Sequence, residues 1–141
     1  MKTYERSGVR FDYPANWQLQ PENTDEGWVV TVHSPDTAFV LVSLREEADS
    51  AAQVADETLQ ALKAEYPGLE AESVVEAVGG YPAIGHDVDF LTLDTATVCR
   101  TRCVDTPAGP LLVLAQATEY DRPRHDPVLR AVVASLRIDA D

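Results

Sequence analysis

The sequence predicts an α+β fold: an antiparallel sheet of about six or seven strands flanked by helices. Three observations carry this expectation. Alternating or continuous apolar runs bounded by turn residues recur along most of the chain. Apolar residues at helical spacing occur in two segments only, near residues 50–66 and after residue 126. Most connections are short enough for hairpins, which join antiparallel neighbours. The 141 residues contain no repeat, low-complexity tract or Pro/Gly/Ser linker, so residues 1–141 are expected to form one domain.

The first predicted strand is 9–13, where Val9, Phe11 and Tyr13 alternate with Arg10 and Asp12. Pro14 ends its ladder because proline has no N–H to donate, and Trp17 follows three residues later. The segment "GWVVTVHSPDTAFVLVSLREE" reads as a hairpin. With Pro35-Asp36 at the centre of a type I turn, Val32 faces Phe39, Val30 faces Leu41 and Val29 faces Val42. Those pairs alternate in face, so both sides are apolar and both are expected to be covered. Ser50 and Gln53 have capping-box spacing ahead of a helix over 50–66, striped by Ala55, Leu59, Leu62 and Tyr66 and ended by Pro67-Gly68. "LEAESVVEAVGG" is a strand running into a turn, and strands follow near 82–92, 96–105 and 110–120. Asp126-Pro127 has the form of an N-cap and first helical residue, opening a second helix striped by Leu129, Val132, Val133 and Leu136.

The hairpin "FLTLDTATVCR" predicts one feature of the surface. A turn centred on Asp94-Thr95 sets Asp89 opposite Arg100 and Asp87 opposite Arg102 on one face. Phe90 then faces Cys99, and His86 faces Cys103, on the other. Asp87, Asp89, Arg100 and Arg102 are therefore the candidate partner-binding surface. As a solvated ladder they set register, each pair contributing roughly 0.2–1 kcal/mol. As a recognition surface, the arginines flanked by Leu91 and Val98 dock a partner, since arginine is enriched at interfaces.

Charge and motif content narrow the function. Twenty-four acidic residues against eleven basic ones give a formal charge of −13, a field that repels nucleic acid and anionic lipid. No apolar run reads as a signal peptide or a membrane span, so a cytoplasmic location without membrane insertion is expected. Cys99 and Cys103 lie about 13 Å apart along a strand, beyond the Cα separation of a disulfide, and are expected as free, buried thiols. In "HDVD" a strand sends His86 away from Asp87 and Asp89, so the three do not share one metal ion. The three glycines of "VGGYPAIG" lack phosphate-loop spacing and read as a strand-to-strand turn. A Cys103–His86 nucleophile pair is conceivable across strands, but no third group orients it. No catalytic residue, cofactor or metal is expected.

The pattern F-x-Y-P-x-x-W, at Phe11, Tyr13, Pro14 and Trp17, resembles the start of domains with the PsbP-like fold. That superfamily includes the extrinsic photosystem II protein PsbP, a Ran-binding nuclear import factor of yeast and the bacterial DcrB group. The hairpin, the helix, "GGYPA" at 79–83 and a late helix ending "ASLRI" at 134–138 follow in the family's order. The resemblance implies an α/β/α sandwich in which the first strand ends at Pro14 and Trp17 enters the core. Its members mostly bind other proteins, and it carries over no catalytic set. In size and expected compartment the chain is similar to the effector-associated chaperones of type VI secretion. The expectation is a non-enzymatic cytoplasmic protein-interaction module, chaperone- or adaptor-like, with another protein or protein segment as partner. The alternative is a small-ligand-binding domain with its pocket between sheet and helix.

Overall fold

A computed structural model describes residues 1–139. The chain forms β1 (Lys2–Arg6), β2 (Val9–Tyr13), β3 (Gln18–Thr24), β4 (Gly27–His33), β5 (Phe39–Arg45), α1 (Ala51–Glu65), β6 (Glu70–Val78), β7 (Tyr81–Thr92), β8 (Thr95–Thr106), β9 (Gly109–Thr118), α2 (Arg122–Ala134) and β10 (Arg137–Ile138). Seven strands make the main sheet, in the order β3-β4-β5-β9-β8-β7-β6, with every pair antiparallel. The α+β class and the antiparallel sheet stand as predicted. One correction concerns the layers. β2, the predicted first strand, lies outside the main sheet, in a three-stranded sheet ordered β1-β2-β10.

That small sheet and α2 together cover one face of the main sheet, and α1 covers part of the other. Phe11, Trp17, Trp28, Val42, Val113 and Leu136 belong to the core on the first side. Val54, Cys103 and Leu112, then Val88, Phe90 and Cys99, pack under α1 on the second. Trp17 is buried in the larger core, as the motif implied. Its N–H donates to the Pro14 carbonyl at 3.0 Å, closing the turn that brings the indole back over the sheet. Its ring meets His125 of α2 edge-on, with centroids 5.6 Å apart.

Both predicted hairpin registers are corrected. In the first, Val30 faces Val42, Val32 faces Val40 and His33 faces Phe39, one residue from the expected pairing. The connection is Ser34–Ala38, closed by the Ser34 N–H on the Ala38 carbonyl. Its tip is held from outside: the Thr37 N–H donates to Asp121, and His125 pairs with Asp36 at 2.9 Å. A one-residue slip exchanges faces. The valines therefore gather on the α2 side, and the second side of β4 and β5 is only half-covered, with Leu41 reaching the α1 cluster.

In the second hairpin the turn is Leu93-Asp94, both left-handed at φ 47° and 67°. Asp94-Thr95 would have forced a β-branched threonine into that region. Moving the turn by one residue moves each partner by two, so the faces survive while the pairs change. Asp87 now opposes Arg100, Asp89 opposes Val98, Gly85 opposes Arg102 and Phe90 opposes Thr97. His86 opposes Thr101, and Cys103 opposes Ile84.

Helix α1 is capped as expected, with the Ser50 hydroxyl accepting from the Gln53 N–H at 3.1 Å. The Gln53 side chain accepts from Asp49, one residue before the cap. Helix α2 starts five residues earlier than predicted, at Arg122, with Pro123 in its first turn and Pro127 inside it. Asp126 is therefore not the N-cap. The helix ends at Ala134, and Arg137 and Ile138, expected at the end of that helix, form β10 against β2.

Candidate functional site

At the Val78–Ala83–Val104 end of β6–β8 the α2-facing side is buried with Leu136 and Ile138, but further along these strands the cover opens. A groove of about 760 Å³ lies there, between β6, the floor strands β7 and β8, and α2. Val74 and Val78 form the β6 wall, and Leu129 and Val133 the α2 wall. Asp87, Arg100 and Arg102 make the floor, with Arg122 and Arg130 contributed by the helix. Four of the chain's eleven basic residues thus converge on one groove of an acidic molecule.

Arg102 is the buried element of the floor. Its Nε donates to Glu76 at 2.6 Å and its Nη2 to Asp87 at 2.9 Å. Nη1 donates to the Thr101 carbonyl at 2.8 Å. Burial pulls its pKa down, but the bonds to Glu76 and Asp87 outweigh it and hold the guanidinium above its ordinary value. Gly85 stands opposite Arg102 in the ladder, where a Cβ would sit 1.8 Å from the Thr101 carbonyl oxygen. The third glycine of "VGGYPAIG" thus lies within β7, and the expected turn is Gly79-Gly80.

Arg100 is differently committed. Its Nη1 donates to Asp126 of α2 at 2.7 Å, and the other Asp126 oxygen accepts from Arg130 at 2.8 Å. Burial raises the Asp126 pKa, but the bonds from Arg130 and Arg100 prevail and keep it below the usual carboxylate value. A guanidinium has five N–H donors, and among the described residues Arg100 uses one of them. Arg122 has no ion pair among the described residues. These donors can take a carboxylate or a carbonyl oxygen.

The candidate surface is therefore brought together in part. Asp87, Arg100 and Arg102 line the groove, while Asp89 shares their face but borders a separate, mainly apolar recess of about 530 Å³ beside Tyr66, Phe90 and Leu91. The expected Asp89–Arg100 pair does not form. Sequence reasoning missed Glu76, Asp126, Arg122 and Arg130, which come from other elements. The spacing of Asp126 and Arg130, one helical turn apart, was the one local signal for them. On the opposite face, burial pushes the Cys99 and Cys103 thiols up to about 12, which keeps both protonated near neutrality. His86 lies diagonal to both, not directly opposite Cys103.

No family model matches the chain, and no curated protein does. Solved structures do. The cyanobacterial PsbP (CyanoP) of Synechocystis is similar over 98% of this chain and 92% of its own, at 13% identity and a TM-score of 0.63. LpqN of Mycobacterium tuberculosis, involved in cell envelope biogenesis, is similar over 92% of this chain and 82% of its own, at 15% identity and a TM-score of 0.64. PA94 of Pseudomonas aeruginosa, a protein of unknown function, is similar over 100% of this chain and 99% of its own, at 13% identity and a TM-score of 0.58. The chain has the PsbP-like fold that its opening motif implied. At these identities the likeness concerns fold alone.

Proposed function

We propose that the protein is a non-enzymatic interaction module that holds a segment of another protein in the groove between α2 and β6–β8. The observation that carries this is the set of uncommitted arginine donors, on Arg100 and Arg122, facing an open groove. Arginine beside apolar walls suits a peptide, whose backbone carbonyls and side chains offer both kinds of contact. Fixed ion pairs on the floor and protonated thiols on the far face favour binding over catalysis. Free thiols and the net charge suit a cytoplasmic adaptor or chaperone whose partner is neither nucleic acid nor membrane. A second reading has one specific support: about 760 Å³ is within the size range of small-molecule sites, and this one lies between sheet and helix.

The test selects peptides from a random display library on the intact protein and maps them by chemical shift. Perturbation of the groove residues on β6, β8 and α2 is expected, with Arg100→Gln weakening the selected peptide about tenfold. Peptides that map elsewhere would overturn the proposal. A small molecule that co-purifies in the groove and excludes them would replace it with the second reading.

A further inference from the structure

The main sheet ends in two unlike edges. β3 carries Pro21, which removes a backbone donor and blunts its edge. β6 runs nine residues without proline, glycine or bulge and, among the described residues, pairs only with β7. Its turn, Gly79-Gly80, has both glycines left-handed and closes on Val78 and Tyr81. A two-residue turn of this kind closes on a hydrogen-bonded pair, and such pairs recur at every second residue. The backbone groups of Ala71, Ser73, Val75 and Ala77 therefore point away from the sheet. All four residues are exposed, with Val75 at 78%.

We infer that β6 receives an added strand: a basic, extended segment of the partner, bonded to those outward backbone groups, with Lys or Arg side chains over Glu70 and Glu72. The inference rests on the reading of the partner as a protein segment and deepens it. Charge decides the occupant. On the α2-facing side Glu70 stands directly opposite Asp89, and Glu72 opposite Asp87. Like charges so placed repel. Among the described residues Asp87 alone of the four has a cationic partner, Arg102. Cations on an adjacent strand relieve both pairs. A second copy does the opposite: full antiparallel overlap of two β6 strands sets Glu72 of each against Glu76 of the other, between chains that each carry −13. Backbone pairing then supplies affinity, and the alternate side chains supply selectivity.

The test titrates two synthetic peptides, one alternating Lys and Val and one alternating Glu and Val, into the intact isotope-labelled protein. The Lys peptide should slow amide exchange at Ala71, Ser73, Val75 and Ala77 by about tenfold or more, and the Glu peptide should not. Val75→Pro deletes an outward donor while sparing the β7 ladder, so it should fold normally and lose the protection. A Lys peptide N-methylated at alternate residues makes the same test with the protein untouched, and should bind about tenfold more weakly. The inference is overturned if the Lys peptide leaves these amides unprotected, if the Glu peptide protects them equally, or if they become protected with protein concentration alone. Display-selected peptides that shift the groove while β6 stays unprotected would end the strand addition and leave the proposed function standing. Protection of β6 by the Lys peptide, with no selected peptide in the groove, would do the reverse.

Discussion

The two halves of the main sheet are built from the same antiparallel ladder and do different work. Over β4, β5 and β9 the α2-facing side is valine, leucine and tryptophan, sealed by the small sheet and α2. Over β6, β7 and β8 the same side keeps Val78, Ala83 and Val104 in the core at one end, and then turns to Glu76, Asp87, Arg100 and Arg102 where the cover lifts into a groove. Val113 and Ala115 of β9 mark the boundary, since they belong both to the core and to the groove lining. Side-chain chemistry thus divides one continuous sheet into a half that is stabilised by burial and a half that keeps polar groups available. Burial at roughly 25 cal/mol per Å² makes the first half the larger source of stability, since the second buries a shorter list of apolar side chains. Ion pairs reaching solvent contribute far less, which leaves the second half free to be specialised for contact.

The largest expected effect lies in the sealed half. Trp17→Ala removes an indole from between α2 and the sheet and should cost about 3–5 kcal/mol in denaturant unfolding. A loss below about 1 kcal/mol would dissolve the contrast between the halves. In the open half, Gly85→Ala should cost about 1–3 kcal/mol, because its Cβ meets backbone rather than a movable side chain. The variant should also disturb the Arg102 amide and guanidinium signals. Unchanged stability and signals would mean that the β8 backbone yields.

Asp126 gives a prediction with a pH sign. Its folded pKa is depressed, so its contribution is present above the unfolded carboxylate value and is lost as pH falls through the folded one. Asp126→Asn should therefore be less stable than the parent by about 1 kcal/mol at neutral pH. The two should converge in acid, below the usual carboxylate range. A difference that persists there would assign the loss to packing instead. Smallest is Asp89→Asn, which relieves the repulsion from Glu70 and should stabilise by a few tenths of a kcal/mol, about the size of one cross-strand pair. A marked loss would reveal a cationic partner for Asp89.

The sealed half was the more legible in sequence, because its elements declare themselves locally. Phe11, Tyr13, Pro14 and Trp17 announce a strand, its end and a returning aromatic. Ser50 announces a helix start. What escaped there was set by distant contacts: the first hairpin opens to five residues because Asp121 and His125 hold its tip. β1 and β3 escaped because their residues are mostly exposed and polar, with no buried stripe to show. In the open half, the shared face of Asp87, Asp89, Arg100 and Arg102 was readable, since strand parity survives a one-residue shift of the turn. Their partners were not. Arg102 bonds Glu76 from β6, and Arg100 bonds Asp126 from α2, across 26 positions of sequence in each case. Asp126 itself was misread because Asp-Pro signals a helix start, whereas Asp121 and Pro123 supply that start one turn earlier.

The central claim is that binding and stability reside in different halves, and Arg100→Gln measures both at once. Unfolding free energy and affinity for a display-selected peptide are determined on the same sample. Asp126 keeps its bond from Arg130 in this variant, so stability should fall by no more than about 1 kcal/mol. Affinity should fall about tenfold. An unchanged affinity with a stability loss as large as that of Trp17→Ala would contradict the account, because Arg100 would then be part of the core and not of a recognition site.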